Sequence, residues 1–337
     1  MTKHQGQRAG IIGIGSYVPD RVLTNADLEK MVETTDEWIV TRTGISERRI
    51  AADDQAASDF AVAAGRAALA SAGLEPKDID LVICATITGD MPFPATASIV
   101  QEKLGIQNSP AFDLHAGCSG FIYSLAVADS CVRSGAYGTI LVIGVDLLSR
   151  ITDWTDRSTC VLFGDASGAA VVGSVGEGEG LLSFHLGSDG SGAELLKLEA
   201  GGSRLPPSLE TVQNRRHYLY MNGREVFKFA VRIMGDAAVE ALNRAGLKPG
   251  DVDVFVPHQA NIRIIDAAAE RLGVPSEKVY VNVQRYGNTS AASIPLALDE
   301  AYRSGLVKKG SIVVAVGFGA GLTYGATVVR WGMDPPR

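Results

Sequence analysis

Short apolar runs alternate along this chain with longer stretches in which apolar positions recur at helical spacing. Ile11–Ile14, Leu81–Cys84, Ile140–Val145 and Ala169–Val172 read as buried strands in the first half. Val254–Val256, Ile312–Val316 and Ala326–Val329 do so in the second. Residues 56–72, 119–135, 225–245, 261–272 and 289–304 read as helices. Strands that are apolar at consecutive positions have both faces covered, so the pattern predicts an α/β fold with helices on both sides of its sheets. Two of the helices stand out. From Cys118 to Ala128, and again over 289–298, no residue is charged. A helix that is apolar all round is buried, so these two are expected to pack together at the centre. Pro295 conflicts with a helix beginning at 289, because an interior proline costs about 3 kcal/mol. Either the helix kinks there or its first turn begins later.

The same pattern is written twice. AALASAGLEPKDIDLVI at 67–83 recurs as EALNRAGLKPGDVDVFV at 240–256. Glu102–Ile106 recurs as Glu270–Val274, and Arg133-Ser134-Gly135 as Arg303-Ser304-Gly305. The last register is 170 residues and sets Cys118 opposite Asn288. A tandem duplication predicts two similar halves, 1–175 and 176–337, with their equivalent points meeting at a pseudo-twofold axis. The seam falls within 174–220, where eight glycines and Pro206-Pro207 interrupt any long element. This stretch reads as a strand or two plus an excursion over the active site, or as a flexible linker.

Composition narrows the function. The length of 337 residues suits two domains, and 46% apolar residues suffice for large cores. A net charge of −7 argues against nonspecific nucleic-acid binding. The four cysteines form no C-x-x-C pair, which points to reduced thiols and a cytoplasmic setting. No apolar run approaches the ~18 residues of a membrane span, and the start does not read as a signal peptide. No metal-ligand cluster and no phosphate-binding glycine loop of nucleotide type is evident.

Three residues carry the candidate chemistry. Cys118 follows a strand-like Ala111–Leu114 and opens a buried helix, where unpaired N–H groups and the helix dipole favour a thiolate. His258 follows strand Val254–Val256, and strand C-termini are where α/β sheets bind ligands. Asn288 alone reads as a turn and helix cap, but its equivalence to Cys118 places it in the same site. Gly317–Gly321 ends a strand and can present backbone amides to an oxyanion. Cys84, Cys131 and Cys160 read as buried hydrophobes, and His4, His185 and His217 as ordinary loop or core residues. His115, three residues before Cys118, is the rival histidine.

With these residues in place the chain resembles the thiolase superfamily, and within it the β-ketoacyl-[acyl-carrier-protein] synthase III family. The resemblance covers nearly the whole chain through DEWIVTRTGI (36–45), GCSGFIYSL (117–125), TDRSTCVLFGD (155–165), NGREVFKFAV (222–231), VPHQANIRI (256–264) and YGNTSAASIP (286–295). A thiolase would carry a second cysteine where this chain has Phe318, and elongating synthases a second histidine where it has Asn288. Chalcone-type synthases share the Cys-His-Asn set but are longer.

The resemblance implies a thiolase-like five-layered α/β/α/β/α fold and a homodimer with no permanently bound cofactor. It implies an acyltransferase that moves an acyl group, acetyl foremost, from acyl-CoA to Cys118 and condenses it with malonyl-acyl carrier protein. His258 and Asn288 become the decarboxylation pair, and the amides of Cys118 and Ala320 the oxyanion hole. Such donors are worth about 2.7–4 kcal/mol each in a buried site. Trp38 and Arg157 would sandwich the adenine of CoA, with Arg42 on its phosphates and Arg224, Phe227, Ala260 and Asn261 completing the coenzyme contacts. Phe93, from the partner, would close an acyl pocket lined by Leu148, Phe163 and Phe318. Lys228, Arg232 and Arg263 would receive the acidic carrier. The chain departs from the family pattern at His115, Arg224 and Ala320. A secondary-metabolite relative with another starter or acceptor is the alternative enzyme. A non-catalytic acyl-carrier binder is the alternative without chemistry, and the intact Cys-His-Asn set speaks against it.

Overall fold

The computed structural model describes residues 8–335. Its first sheet contains β1 (Arg8–Tyr17), β2 (Leu81–Ala85), β3 (Ala111–Leu114), β4 (Ile140–Leu147) and β5 (Asp165–Val175), in the order β1-β5-β4-β2-β3. The second contains β6 (Gly180–Ser188), β7 (Val254–Pro257), β8 (Ile312–Gly319) and β9 (Thr323–Arg330), in the order β6-β9-β8-β7. The two sheets share one topology. Leu81 pairs with Ile140 in parallel, and their repeat equivalents Val254 and Val313 do the same. The position of β3 is filled in the second sheet by a single bridge between Phe255 and Val279, closed by Tyr280 N–H donating to Phe255 O at 2.9 Å.

The longest helices are α1 (Ala57–Ala72), α2 (Thr96–Leu104), α3 (Gly120–Ser134), α4 (Gly223–Arg244), α5 (Ile262–Leu272) and α6 (Ser293–Arg303). α1 and α2 cover the outer face of the first sheet, and α4 and α5 that of the second. α3 and α6 lie between the sheets and touch both. The result is the five-layered α/β/α/β/α thiolase fold. One core cluster joins Ile83 and Val142 of the first sheet to Val254 and Val313 of the second through Phe121, Ile294 and Leu298.

The repeated aspartates repeat their tasks. Asp78 and Asp251 each accept a hydrogen bond at 2.8 Å from the backbone N–H three residues earlier, of Glu75 and of Lys248. Asp80 accepts from Gly138 and Thr139 N–H, and Asp253 from Ile312 N–H, tying the start of one strand to its neighbour. Gly117 and Gly287, 170 residues apart, both take positive φ, at 52° and 63°. Each turns the chain just before Cys118 or Asn288, in a conformation that a Cβ disfavours.

The equivalence breaks one step later. A 3₁₀ turn at Gly117–Ser119 leads into α3, whereas Ser290–Ala292 leads into α6, so the second helix starts later than the pattern suggested. Pro295 therefore falls in the first turn of α6, where N–H groups have no intrahelical partner to lose. At the other end α4 starts two residues earlier than expected, because Asn222 caps it by accepting from Glu225 N–H.

The glycine-rich stretch is not a bare linker. After β6, Leu196–Leu198 and Leu219–Met221 pair as an antiparallel ribbon, with the short helix Leu209–Gln213 between them. Leu219 N–H donates to Ile151 O at 2.8 Å and fastens the ribbon to the first half.

Candidate active site

Cys118 sits in the 3₁₀ turn before α3, held by Ser119, whose hydroxyl donates to Ala116 O at 2.7 Å. The helix start favours a thiolate, but burial outweighs it. Removal from water pushes the thiol up to about 12, and the nearby Ser290 hydroxyl and a backbone N–H oppose this only in part. Cys118 keeps part of its surface open, and burial raises the thiol against the pull of the helix start.

His258 follows β7, and its N–H donates to Val316 O of β8 at 2.7 Å. The ring is fully buried, and burial lowers its pKa to about 3, so the imidazole is neutral. Nδ1 lies 2.6 Å from Ser293 Oγ, while Nε2 has no partner. The Phe318 ring meets the imidazole edge-on at 5.7 Å.

Asn288 is stitched to the first half through its backbone. Its N–H donates to Leu162 O at 2.8 Å, and its carbonyl accepts from Gly164 N–H at 3.0 Å. Its side-chain oxygen accepts from Ser290 N–H at 2.9 Å, which leaves the NH₂ end as the donor for a ligand. Ser290 adopts a positive φ of 50° although it carries a side chain. Strained residues of this kind are held in place by their surroundings and gather at functional sites. Beneath the turn, Asp146 is fully buried, with no ion pair to it among the described residues. It accepts from Ile87 N–H (2.8 Å), the Thr86 and Thr88 hydroxyls (3.1 and 3.0 Å) and Ala291 N–H (3.3 Å).

These groups meet in one cavity of about 220 Å³, which Cys118, His258 and Asn288 all line. Gly319 and Ala320 form one wall. A Cβ at Gly319 would lie 2.4 Å from Cys118 N, so only glycine leaves that amide uncovered. Ala320 opens its own 3₁₀ turn, and such first N–H groups lack intrahelical partners. Larger surface grooves exist, such as one of about 490 Å³ around Lys77, Asp80 and Tyr137, but neither cysteine nor histidine lines it.

Of the pocket residues named from the sequence, Leu148, Phe163 and Phe318 line the cavity and Phe93 does not. Phe93 is 82% exposed on the loop before α2. Phe227, Ala260 and Asn261 also line the cavity. Asn261 is occupied by the fold: its oxygen caps α5 through Arg263 N–H, and its NH₂ donates to Arg42 O at 2.9 Å. Arg42 and Arg157 both stack on Trp38, at 4.8 and 4.9 Å from the ring centroid. A base between Trp38 and Arg157 needs two contact layers of about 3.5 Å each. At 4.9 Å, the space between the Arg157 guanidinium and the Trp38 ring is too narrow to hold a flat base.

Arg224 is exposed in the first turn of α4. Lys228 pairs with Glu225 at 2.8 Å, Arg232 is exposed one turn on, and Arg263 lies over the Phe227 ring at 5.2 Å. His115 is exposed and lines no part of the cavity, which removes the rival histidine. His185 lies in β6, His217 meets Thr211 at 2.9 Å, and His4 is outside the described residues. Cys84, Cys131 and Cys160 do not line the cavity. The sequence reading missed Ile87, Leu162, Ser290 and the ribbon residues Leu196, Leu219 and Met221, all of which do. Among the described residues no cluster of three or more His, Cys, Asp or Glu is placed to hold a metal, and no helix is long and apolar enough to cross a membrane.

A duplicated α/β/α/β/α fold with this cavity between its halves defines an acyltransferase of the condensing type. Two family models match the chain: 3-oxoacyl-[acyl-carrier-protein] synthase III over residues 112–190, and the C-terminal part of that synthase over residues 242–331. The β-ketoacyl-[acyl-carrier-protein] synthase III of Caldanaerobacter subterraneus is 58% identical over 96% of this chain and 98% of its own. The crystal structure of the Thermus thermophilus synthase III is 54% identical, covers 96% of this chain and 99% of its own, and superposes with a TM-score of 0.90. The priming β-ketosynthase of the R1128 polyketide pathway is 40% identical, covers 100% and 99%, and gives a TM-score of 0.92. The chain belongs to the β-ketoacyl-[acyl-carrier-protein] synthase III family.

Proposed function

We propose that this chain takes an acyl group from acyl-CoA onto Cys118 and condenses it with malonyl-acyl carrier protein, releasing CO₂, as the first step of fatty-acid synthesis. The observation that carries the reading is the single cavity shared by Cys118, His258 and Asn288. Family membership supports it.

The chemistry follows from the side chains. Cys118 Sγ loses its proton, attacks the thioester carbonyl, and the carbon–sulfur bond to CoA breaks; CoA leaves as its thiol. Because burial holds the thiol above its ordinary range, attack and proton loss are coupled. The oxyanion formed at each acyl transfer lies against the N–H groups of Cys118 and Ala320. In the second step the bond to the malonyl carboxylate breaks, CO₂ departs, and the electron pair becomes an enolate. His258 Nε2 and Asn288 Nδ2 donate to its oxygen. The enolate carbon attacks the acyl carbonyl, and the cysteine sulfur leaves and takes up a proton from solvent. Two neutral donors suit this task, because they stabilise the enolate without protonating it.

In this reading Trp38, Arg42, Arg157 and Arg224 receive the adenine and phosphates of CoA, and Arg263 and Arg232 the negatively charged carrier. Arg forks fit phosphate, and a local basic patch steers an acidic partner toward a protein of net charge −7. The exposed Phe93 and Met91 fit a second copy of the chain, and the four free cysteines fit the reducing cytoplasm. The likeness to a polyketide priming enzyme carries the second reading, in which starter or acceptor differs.

Intact-mass measurement after incubation with a panel of acyl-CoAs tests both. We expect an acyl adduct that is absent in Cys118→Ala, and CO₂ release when malonyl-acyl carrier protein follows. An adduct without CO₂ release moves the function to the second reading, and no adduct with any acyl-CoA removes both.

A further inference from the structure

We infer that Ser293 is a positioning residue that fixes the tautomer of His258, so that Nε2 carries the proton and faces the cavity as a hydrogen-bond donor. The inference rests on the reading of His258 as a donor to the thioester oxygen and identifies what makes it one.

The geometry decides the direction of each hydrogen bond around the ring. Ser293, the first residue of α6, is 1% exposed, and its Oγ stands 2.6 Å from His258 Nδ1. The same oxygen is 3.4 Å from Gln259 N, which can only donate to it. Gln259 N–H takes one lone pair of Ser293 Oγ, and among the described residues Nδ1 is the one acceptor within reach of its hydroxyl hydrogen, so Ser293 Oγ donates to Nδ1. A neutral imidazole with an acceptor at Nδ1 has its proton at Nε2. That nitrogen is buried without a protein partner and lines the cavity.

The frame that holds this arrangement is rigid. Gln259 Nε2 donates to Pro257 O and Tyr280 O, and its Oε1 accepts from Asn282 and Val283 N–H. The opposite tautomer would present a lone pair to the cavity. It would repel an enolate oxygen and would suit a base that deprotonates Cys118. Ser293 thus selects oxygen stabilisation over thiol activation, and it does so from α6, whereas the thiol precedes α3.

The decisive measurement is the ¹⁵N spectrum of the ring nitrogens in uniformly ¹⁵N-histidine-labelled protein, with His258 assigned by its absence in His258→Ala. The wild-type protein should show a protonated, pyrrole-type Nε2 and a pyridine-type Nδ1. A pyridine-type Nε2 overturns the inference whatever the activity, so its failure is separable from a failure of acyl loading on Cys118. In Ser293→Ala the two tautomers should mix. Malonyl-acyl carrier protein decarboxylation should lose on the order of tenfold in kcat at little-changed KM. Acyl-Cys118 formation should persist. Ser293→Thr, which keeps the hydroxyl, should restore the wild-type spectrum. A Ser293→Ala protein with unmixed tautomers and wild-type kcat would also overturn the inference.

Discussion

At the residue scale the cavity works with neutral groups. Burial pushes the Cys118 thiol up to about 12 and holds His258 down near 3, so across the ordinary range one is a thiol and the other an uncharged ring. The sign is clear for each. Raising the pH exposes more thiolate without reaching its midpoint, and lowering it leaves the imidazole neutral until strongly acidic conditions. Alkylation of Cys118 by iodoacetamide, followed by mass spectrometry, should therefore accelerate steadily with pH. A plateau near neutrality would mean that the helix start prevails over burial. Asn288→Ala should still form acyl-enzyme but lose decarboxylation by about 10²-fold or more, as measured by CO₂ release, because it removes one of two donors to the enolate. Asn288 was legible only through the repeat, since Gly-Asn-Thr-Ser by itself is an ordinary turn. Ser290, Ser293 and Asp146 were not legible, because each matters through partners distant in sequence: Ser293 lies 35 residues from His258, and Asp146 meets Ala291 across 145.

At the element scale, helix ends place the chemistry. Cys118 precedes α3, Asn288 precedes α6, and Asn261 caps α5 while holding the carbonyl of Arg42. Asn261→Ala removes both bonds. It should cost about 1–2 kcal/mol in denaturant unfolding. It should also raise KM for acyl-CoA more than it lowers kcat, because the Trp38–Arg42 segment loses its anchor. Five of the six helices, all but α2, were readable from periodicity to within a few residues. The start of α6 was misplaced because Ser290–Ala292 forms a 3₁₀ turn that spacing does not distinguish from α-helix. The ribbon of Leu196–Leu198 and Leu219–Met221 was readable only as an interruption. Its strands are three residues long, too short to display an alternation.

At the scale of the molecule, the two halves are interlocked. Residues of both sheets share one core, and the backbone of Asn288 is bonded to the segment that carries Phe163. The duplication was legible because its apolar strands and paired aspartates do the same structural work twice. No described residue covers the exposed Phe93 ring. If a second copy does, Phe93→Asp should shift sedimentation toward a monomer and weaken acyl loading; an unchanged dimer with normal loading would remove Phe93 from the interface.

The interlock also has a consequence in time. After Cys118 a ribosome adds 169 residues before it reaches Asn288, and β8 and β9 follow later still. During that interval the thiol has no Gly319–Ala320 wall and no second donor, and is an ordinary cysteine among the cell's thiols. Reactivity toward thioesters is therefore acquired all at once, near the end of synthesis, and an unfinished chain cannot capture an acyl group that it has no means of passing on.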